Sequence, residues 1–288
     1  MKKILTASLV FMALGALVIG CQGIGEASYH QETSFEAKGI EEIEVNNDSW
    51  DIVFKDTDSP NITVTCEGKQ RDKKSEPVTI NQDGEKMIIT QQDQGGISGG
   101  FTFGKDGTIY ISIPGHEIDT ITLNNDAGDI KVKDVAVQNL VFTNDSGFEH
   151  IEGLTADKGE FSSKDGEFTL KDSSLNKLKV TSGSGDSYMT RVTSPDMTIT
   201  STAGEISVKE AEEGKRLHAE TNSGDLTVSY STPPASLKLM ASSGSADIDV
   251  GLDGFIEQQN TEKSIEGMIG DGTNTLELIS QAGTIIVE

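Results

Sequence analysis

The sequence predicts an all-β chain: a single-stranded parallel β-helix (β-solenoid) with coils of about 19–20 residues and a less regular N-terminal β cap. Three observations predict it: a glycine recurring at near-constant spacing, alternating apolar residues on either side of each glycine, and apolar columns repeating from period to period. Gly128, Gly147, Gly166, Gly185, Gly204, Gly224 and Gly244 are separated by 19, 19, 19, 19, 20 and 20 residues. Gly283 follows after 39, read as two periods with one degenerate copy between. Apolar residues two apart mark strands with one buried face. Those nineteen apart mark the same inward slot one turn later. One column reads Leu123, Phe142, Phe161, Val180, Ile199, Ala219, Leu239; another reads Val132, Ile151, Leu170, Met189, Val208, Val228, Val250. A chain that revisits each slot is coiling, with successive strands paired in parallel ~4.8 Å apart.

The elements follow in chain order. Residues 1–20 carry Lys2 and Lys3, an uncharged apolar run from Ile4 to Ile19, and Gly20 before Cys21, the three parts of a secretory signal. The run's helical length of roughly 24 Å falls short of the ~30 Å hydrocarbon core, so a cleaved leader is favoured over a spanning helix. Residues 21–34 read as a polar tether. Residues 35–116 read as an N-terminal cap with wider coils, in which Ile43 to Phe54 repeats the phrase with Trp50 in the glycine's place. Residues 117–288 hold the repeats, about nine coils. The slot at Asn125 returns as Asn144, Ser163, Ser182, Ser201 and Thr221, a small polar column suited to bonding along a corner.

Composition narrows function. The formal charge of −24 becomes −26 when the two leader lysines are removed, which excludes nucleic acid as a partner and attachment through a basic patch. Cys66 shares its alternation with Ile62 and Val64 and reads as a buried, inert thiol. Cys21 is the only other cysteine, and with its sulfur taken up at the leader junction a single thiol is left, so no intramolecular disulfide is possible.

Val18-Ile19-Gly20-Cys21 resembles the lipobox of bacterial lipoproteins. That resemblance implies lipidation of Cys21, which becomes the first mature residue, with several acyl chains holding the protein on a membrane. The recurring phrase seen at Thr200-Ser-Thr-Ala-Gly204-Glu-Ile-Ser-Val208 and Thr221-Asn-Ser-Gly224-Asp-Leu-Thr-Val228 resembles the bacterial adhesin-type domains built on β-helix repeats, the LiaG-like envelope proteins and their head-domain autotransporter-adhesin relatives. The likeness spans about Gly39 to Glu288 and implies a surface or envelope role, with no catalytic residues to carry over.

The chemistry-bearing residues are sparse. His30, His116, His150 and His218 lack zinc-ligand spacing. The run from Gly95 to Gly104 lacks the lysine and helix start of a phosphate cradle and reads as a loop. Arg71, Arg191 and Arg216 stand too far apart in sequence to suggest a polysaccharide-cleaving groove. The sharpest acidic pattern is Asp129, Glu167, Asp186, Glu205 and Asp225, each directly after a corner glycine, with Asp126 and Asp145 on the turns before. It reads as a solvated acidic edge, with weak Ca²⁺ (or Mg²⁺) binding as the functional alternative and no other cofactor. The expectation is a non-enzymatic, lipid-anchored, extracytoplasmic envelope protein whose elongated β-surface binds an envelope protein or glycan. The alternatives are an accessory component of an envelope-stress signalling pathway and, third, a carbohydrate-active enzyme on a β-helix.

Overall fold

The structure, a computed structural model, describes residues 27–70, 76–92, 107–115 and 117–288. The leader, Cys21, His116, Arg71 and the Gly95–Gly104 run lie outside the described residues. Among those described the regular structure is all β, joined into one open sheet of many strands.

Two parallel ladders organise the sheet. In the first, Leu123 pairs with Phe142, Phe142 with Phe161, Phe161 with Val180, Val180 with Ile199 and Ile199 with Ala219. In the second, Val132 pairs with Ile151, Ile151 with Leu170, Leu170 with Met189, Met189 with Val208 and Val208 with Val228. Both columns are buried, and the aromatic members interlock: the Phe142 and Phe161 rings meet edge-on at 5.4 Å, and Phe161 meets Phe168 at 5.0 Å. Each such side chain contributes on the order of 1.5–3 kcal/mol by burial, repeated along the whole length.

The bend between the ladders is built from glycine. A methyl group on Gly185, where φ is +154°, would collide with the carbonyl oxygen of Gly166, so successive backbones touch at this bend. Trp50 does occupy the glycine position in its repeat. Gly128 sits against the Trp50 carbonyl, while the indole is buried beside Gly107 and edge-on to Tyr29 at 6.1 Å. The polar column runs the full length of the first ladder. Gln91, Asn47, Asn125, Asn144, Ser163 and Ser182 are consecutive register partners, continued by Ser201, Thr221, Ser280 and Ser243, and all are buried.

Three expectations change. First, much of the polar tether is a strand, Ala27–Glu36, antiparallel to Asn61–Gln70, because the outer edge of that strand needs a hydrogen-bonding partner. Second, the N-terminal region joins the ladders directly. Glu42–Asn47 lies in parallel between Lys86–Gln91 and Thr120–Asn125, so the chain lays down an inner repeat before the outer one. Antiparallel strands Asn61–Gln70 and Val78–Asp83 then close that end.

Third, the C-terminal repeat around Gly283 does not extend the far end. Asn274–Ser280 inserts between Arg216–Ser223 and Leu237–Ser243, and Ile285–Val287 inserts between Leu226–Tyr230 and Ile248–Val250. Gly283 therefore rests on Gly224, whereas Gly244 leaves the glycine column and rests on Gln281. The first column accordingly continues from Ala219 to Leu278 and Ala241, and Leu239 pairs with Leu276. No degenerate repeat lies between them. Ile256–Thr261 and Ser264–Met268 form an antiparallel hairpin whose second strand caps Leu237–Ser243 in reverse.

Cys66 is fully buried, and desolvation pushes its thiol up to about 12, as an inert thiol requires.

Candidate functional site: a polar trough along one bend

Where the chain returns from the second ladder to the first, the bend carries its own column. The backbone N–H of Glu41 donates to the Glu85 carbonyl, that of Asp119 to Glu41, and that of Gln138 to Asp119, each at 2.8–3.0 Å. Asp157 and Asn176 continue the line by the register of their neighbours. Beside this line runs an open trough of about 380 Å³, floored by Ala136, Val137, Thr155, Ala156 and Ser174 and walled by Asp119, Gln138, Asp157 and Asn176. Gln138 Nε2 donates to Asp119 Oδ1 at 2.6 Å, and Asn176 Nδ2 donates to Asp157 Oδ1 at 2.7 Å. Acid and amide thus alternate from repeat to repeat, orienting each other's planar heads. A second hollow of about 280 Å³ adjoins it at Asp119, lined by Glu41, Glu42, Asp83, Glu85 and Lys86. There Lys86 Nζ pairs with Glu42 at 2.9 Å and Glu44 at 2.5 Å, and its bond holds the Glu44 carboxyl below the usual range.

The acidic column predicted after the corner glycines lies elsewhere, at the bend between the two ladders, and its members have a backbone task. Asp129 Oδ1 accepts the N–H of Phe148 at 3.1 Å, Asp186 Oδ1 that of Glu205 at 2.8 Å, and Asp225 Oδ1 that of Thr284 at 2.7 Å. Asp51 does the same for Asp129 at 2.9 Å. Each aspartate therefore satisfies an amide that the parallel ladder leaves over in the next repeat. Glu167 instead accepts from Thr169 Oγ1 at 3.2 Å. Among the described residues no three His, Cys, Asp or Glu side chains converge on a point where a metal ion would sit. Nor is the acidic edge purely repulsive, since Lys164 Nζ pairs with Asp145 at 2.6 Å one repeat away.

The described histidines are spread out. His30 and His150 face Glu67 and Glu152 at 3.5 and 3.7 Å on the surface. His218 is less exposed than its sequence suggests, because the intercalated C-terminal repeat brings Glu277 Oε2 to 2.9 Å from Nδ1. Arg191 bridges Asp172 and Glu210, its partners one repeat on either side, and holds the Asp172 carboxyl below its usual value. Arg216 reaches Thr198 at 2.9 Å. Neither arginine stands at the trough.

Residues 40–288 match the Toastrack family, DUF4097. The chain belongs to this family. No curated relative matches it by sequence. Among solved structures, a proposed adhesin from Bacteroides fragilis superposes with a TM-score of 0.57 at 13% identity, covering 90% of this chain and 97% of that one. A proposed lipid-binding protein from Parabacteroides distasonis gives 0.50 at 16% identity, covering 90% and 96%. At these identities the likeness is one of fold. The family match accords with the resemblance carried by the repeated phrases.

Proposed function

We propose that the chain is a single-stranded parallel β-solenoid, held at a membrane by lipid on Cys21, that acts without catalysis by binding an envelope glycan along its trough. The observation that carries this reading is the acid–amide wall from Asp119 to Asn176. Planar carboxylates and carboxamides, one per repeat at ~4.8 Å, offer acceptors and donors to the hydroxyls of an extended neutral sugar chain. The trough is lined by no aromatic side chain, and its largest aliphatic members, Ile118 and Val137, are buried and offer little apolar surface of the kind that dominates protein–protein interfaces. Its carboxylates, with a net charge of −24 behind them, repel a polyanion. Affinity comes from repetition, each repeat adding a weak contact to a ligand already held by the last.

Binding to neutral oligosaccharides of rising length, measured by calorimetry, tests it. The expected result is affinity that grows with chain length and falls about tenfold or more in a Gln138→Ala/Asn176→Ala double variant that melts like the parent. Equal binding by parent and variant would move the ligand off the trough, and capture of a protein instead of sugar would replace the glycan reading.

A further inference from the structure

Inside the bend at Gly147 stands a group of side chains that surface binding does not use. Glu149 occupies an inward slot between Ile130 on one side and Phe168 on the other, and is 1% exposed. Equivalent slots in other repeats carry Ile52, Ile206, Leu226 and Ile285, with Ser187 the one other polar member among the described residues. A carboxyl here costs several kcal/mol to bury as an ion. Its Oε1 accepts from Asn144 Nδ2 at 2.8 Å, while its Oε2 has no hydrogen-bond partner.

Asn144 is held on both sides of its carboxamide. Its nitrogen donates to Glu149, and its Oδ1 accepts from Asn125 Nδ2 at 2.7 Å, which draws electrons away from the carbonyl carbon. The register partner of Asn144 in the next repeat is Ser163. The Ser163 hydroxyl is buried and makes no hydrogen bond of ordinary geometry, yet stands near enough to Glu149 to favour the ionised carboxyl. A nucleophile, a polarised amide, a donor at the carbonyl oxygen and a carboxyl at the leaving nitrogen are thus gathered in one water-poor space. Among the described residues no other repeat combines them: the slot that Glu149 fills is Ile130 in the repeat of Asn125, and Ser182 and Ser201 have no amide beside them in the column.

We propose that Ser163 and Asn144 join in an intramolecular ester, formed by the protein on itself with loss of ammonia. Glu149 takes the proton of Ser163 Oγ as that oxygen attacks Asn144 Cγ. The negative charge collecting on Oδ1 is met by Asn125 Nδ2, as an oxyanion is met in acyl transfer. Glu149 then returns the proton to Nδ2, the C–N bond breaks, and NH₃ leaves while the Oγ–Cγ bond stays. One O–H and one C–N bond are exchanged for one C–O and one N–H bond, with no oxidant or cofactor. A carboxyl pushed up to about 7 serves as base and then acid near neutral pH. Burial excludes the water that would hydrolyse the product. The bond rivets two successive repeats.

Intact-mass spectrometry of the full chain, compared with its Ser163→Ala variant, decides the matter. The parent is expected about 17 Da below its sequence mass, the weight of ammonia, with the variant at its sequence mass once both are corrected for the same N-terminal processing. Proteolysis should yield one linked peptide pair containing Asn144 and Ser163. Glu149→Gln should abolish the mass loss, and Ser163→Thr should restore it where Ser163→Ala does not. A parent at its full sequence mass after prolonged incubation near pH 7 overturns the proposal, as does a gain of about 1 Da confined to Asn144, the mark of simple deamidation.

Discussion

Burial pushes the Glu149 carboxyl up to about 7, while the hydrogen bond from Asn144 and the nearby Ser163 hydroxyl pull the other way. The sign for stability follows. The folded state holds this proton more tightly than the unfolded chain, so the contribution is fully present below about pH 4.5 and is lost as pH rises toward 7, by roughly 3 kcal/mol. Subtracting the pH–stability curve of Glu149→Gln from that of the parent in urea titrations should isolate this slope; parallel curves would refute it. The slot was legible, since Glu149 shares its parity with inward Ile151 and stands nineteen residues from Ile130 and from Phe168, but a charged side chain breaks the apolar column and so gives no signal when the column is read by hydrophobicity. The sequence hides a second feature. The bend after the second ladder places Asp134, Gly153, Asp172, Arg191 and Glu210 in the left-handed region, with φ between 48° and 70°. Only one of the five is glycine, so no periodic glycine marked that bend. Glu210→Gly should relieve backbone strain and raise stability by about 1 kcal/mol, less whatever the exposed pair with Arg191 contributes. Gly185→Ala, at the crowded bend, should cost 2 kcal/mol or more, read as a fall in the thermal midpoint.

The nineteen-residue spacing identified the strands from Thr120 to Tyr230 and their inward columns, because in parallel pairing equal spacing in sequence becomes adjacency in space. It failed at both ends for one reason: a period tells which slot a strand fills, and says nothing of which neighbour it lies beside. The strands Asn274–Ser280 and Ile285–Val287 fit the columns and were read as the last repeat, yet they lie one repeat inward. Residues 27–34 read as part of the tether because their alternation is polar, and the trough leaves no mark because Asp119, Gln138, Asp157 and Asn176 carry no apolar signal. The intercalation makes truncation informative. Ending the chain at residue 273 removes an interior repeat and strips the partners from two others. Loss of cooperative melting is expected, and a truncated chain that melts like the parent would contradict the strand order.

At the scale of the molecule, 47 acidic against 23 basic residues repel one another along an extended body. Local pairs such as Lys86 with Glu42 and Glu44, or Arg191 with Asp172, offset little of this, since exposed pairs are worth under about 1 kcal/mol. Screening should therefore stabilise the fold. Raising sodium chloride from about 10 mM to 500 mM should raise the thermal midpoint, and a midpoint that falls would show that the ion pairs outweigh the repulsion.

The placement of the last strands also bears on how the chain is made. A ribosome delivers residues in order, so Leu237–Ser243 emerges while the groove meant for Asn274–Ser280 still stands empty beside Arg216–Ser223. Those two strands must stay apart until Asn274–Ser280 emerges, or pair wrongly and then part. Native order on this side of the sheet therefore waits on residues that emerge some thirty positions after the strand they must separate from its false neighbour.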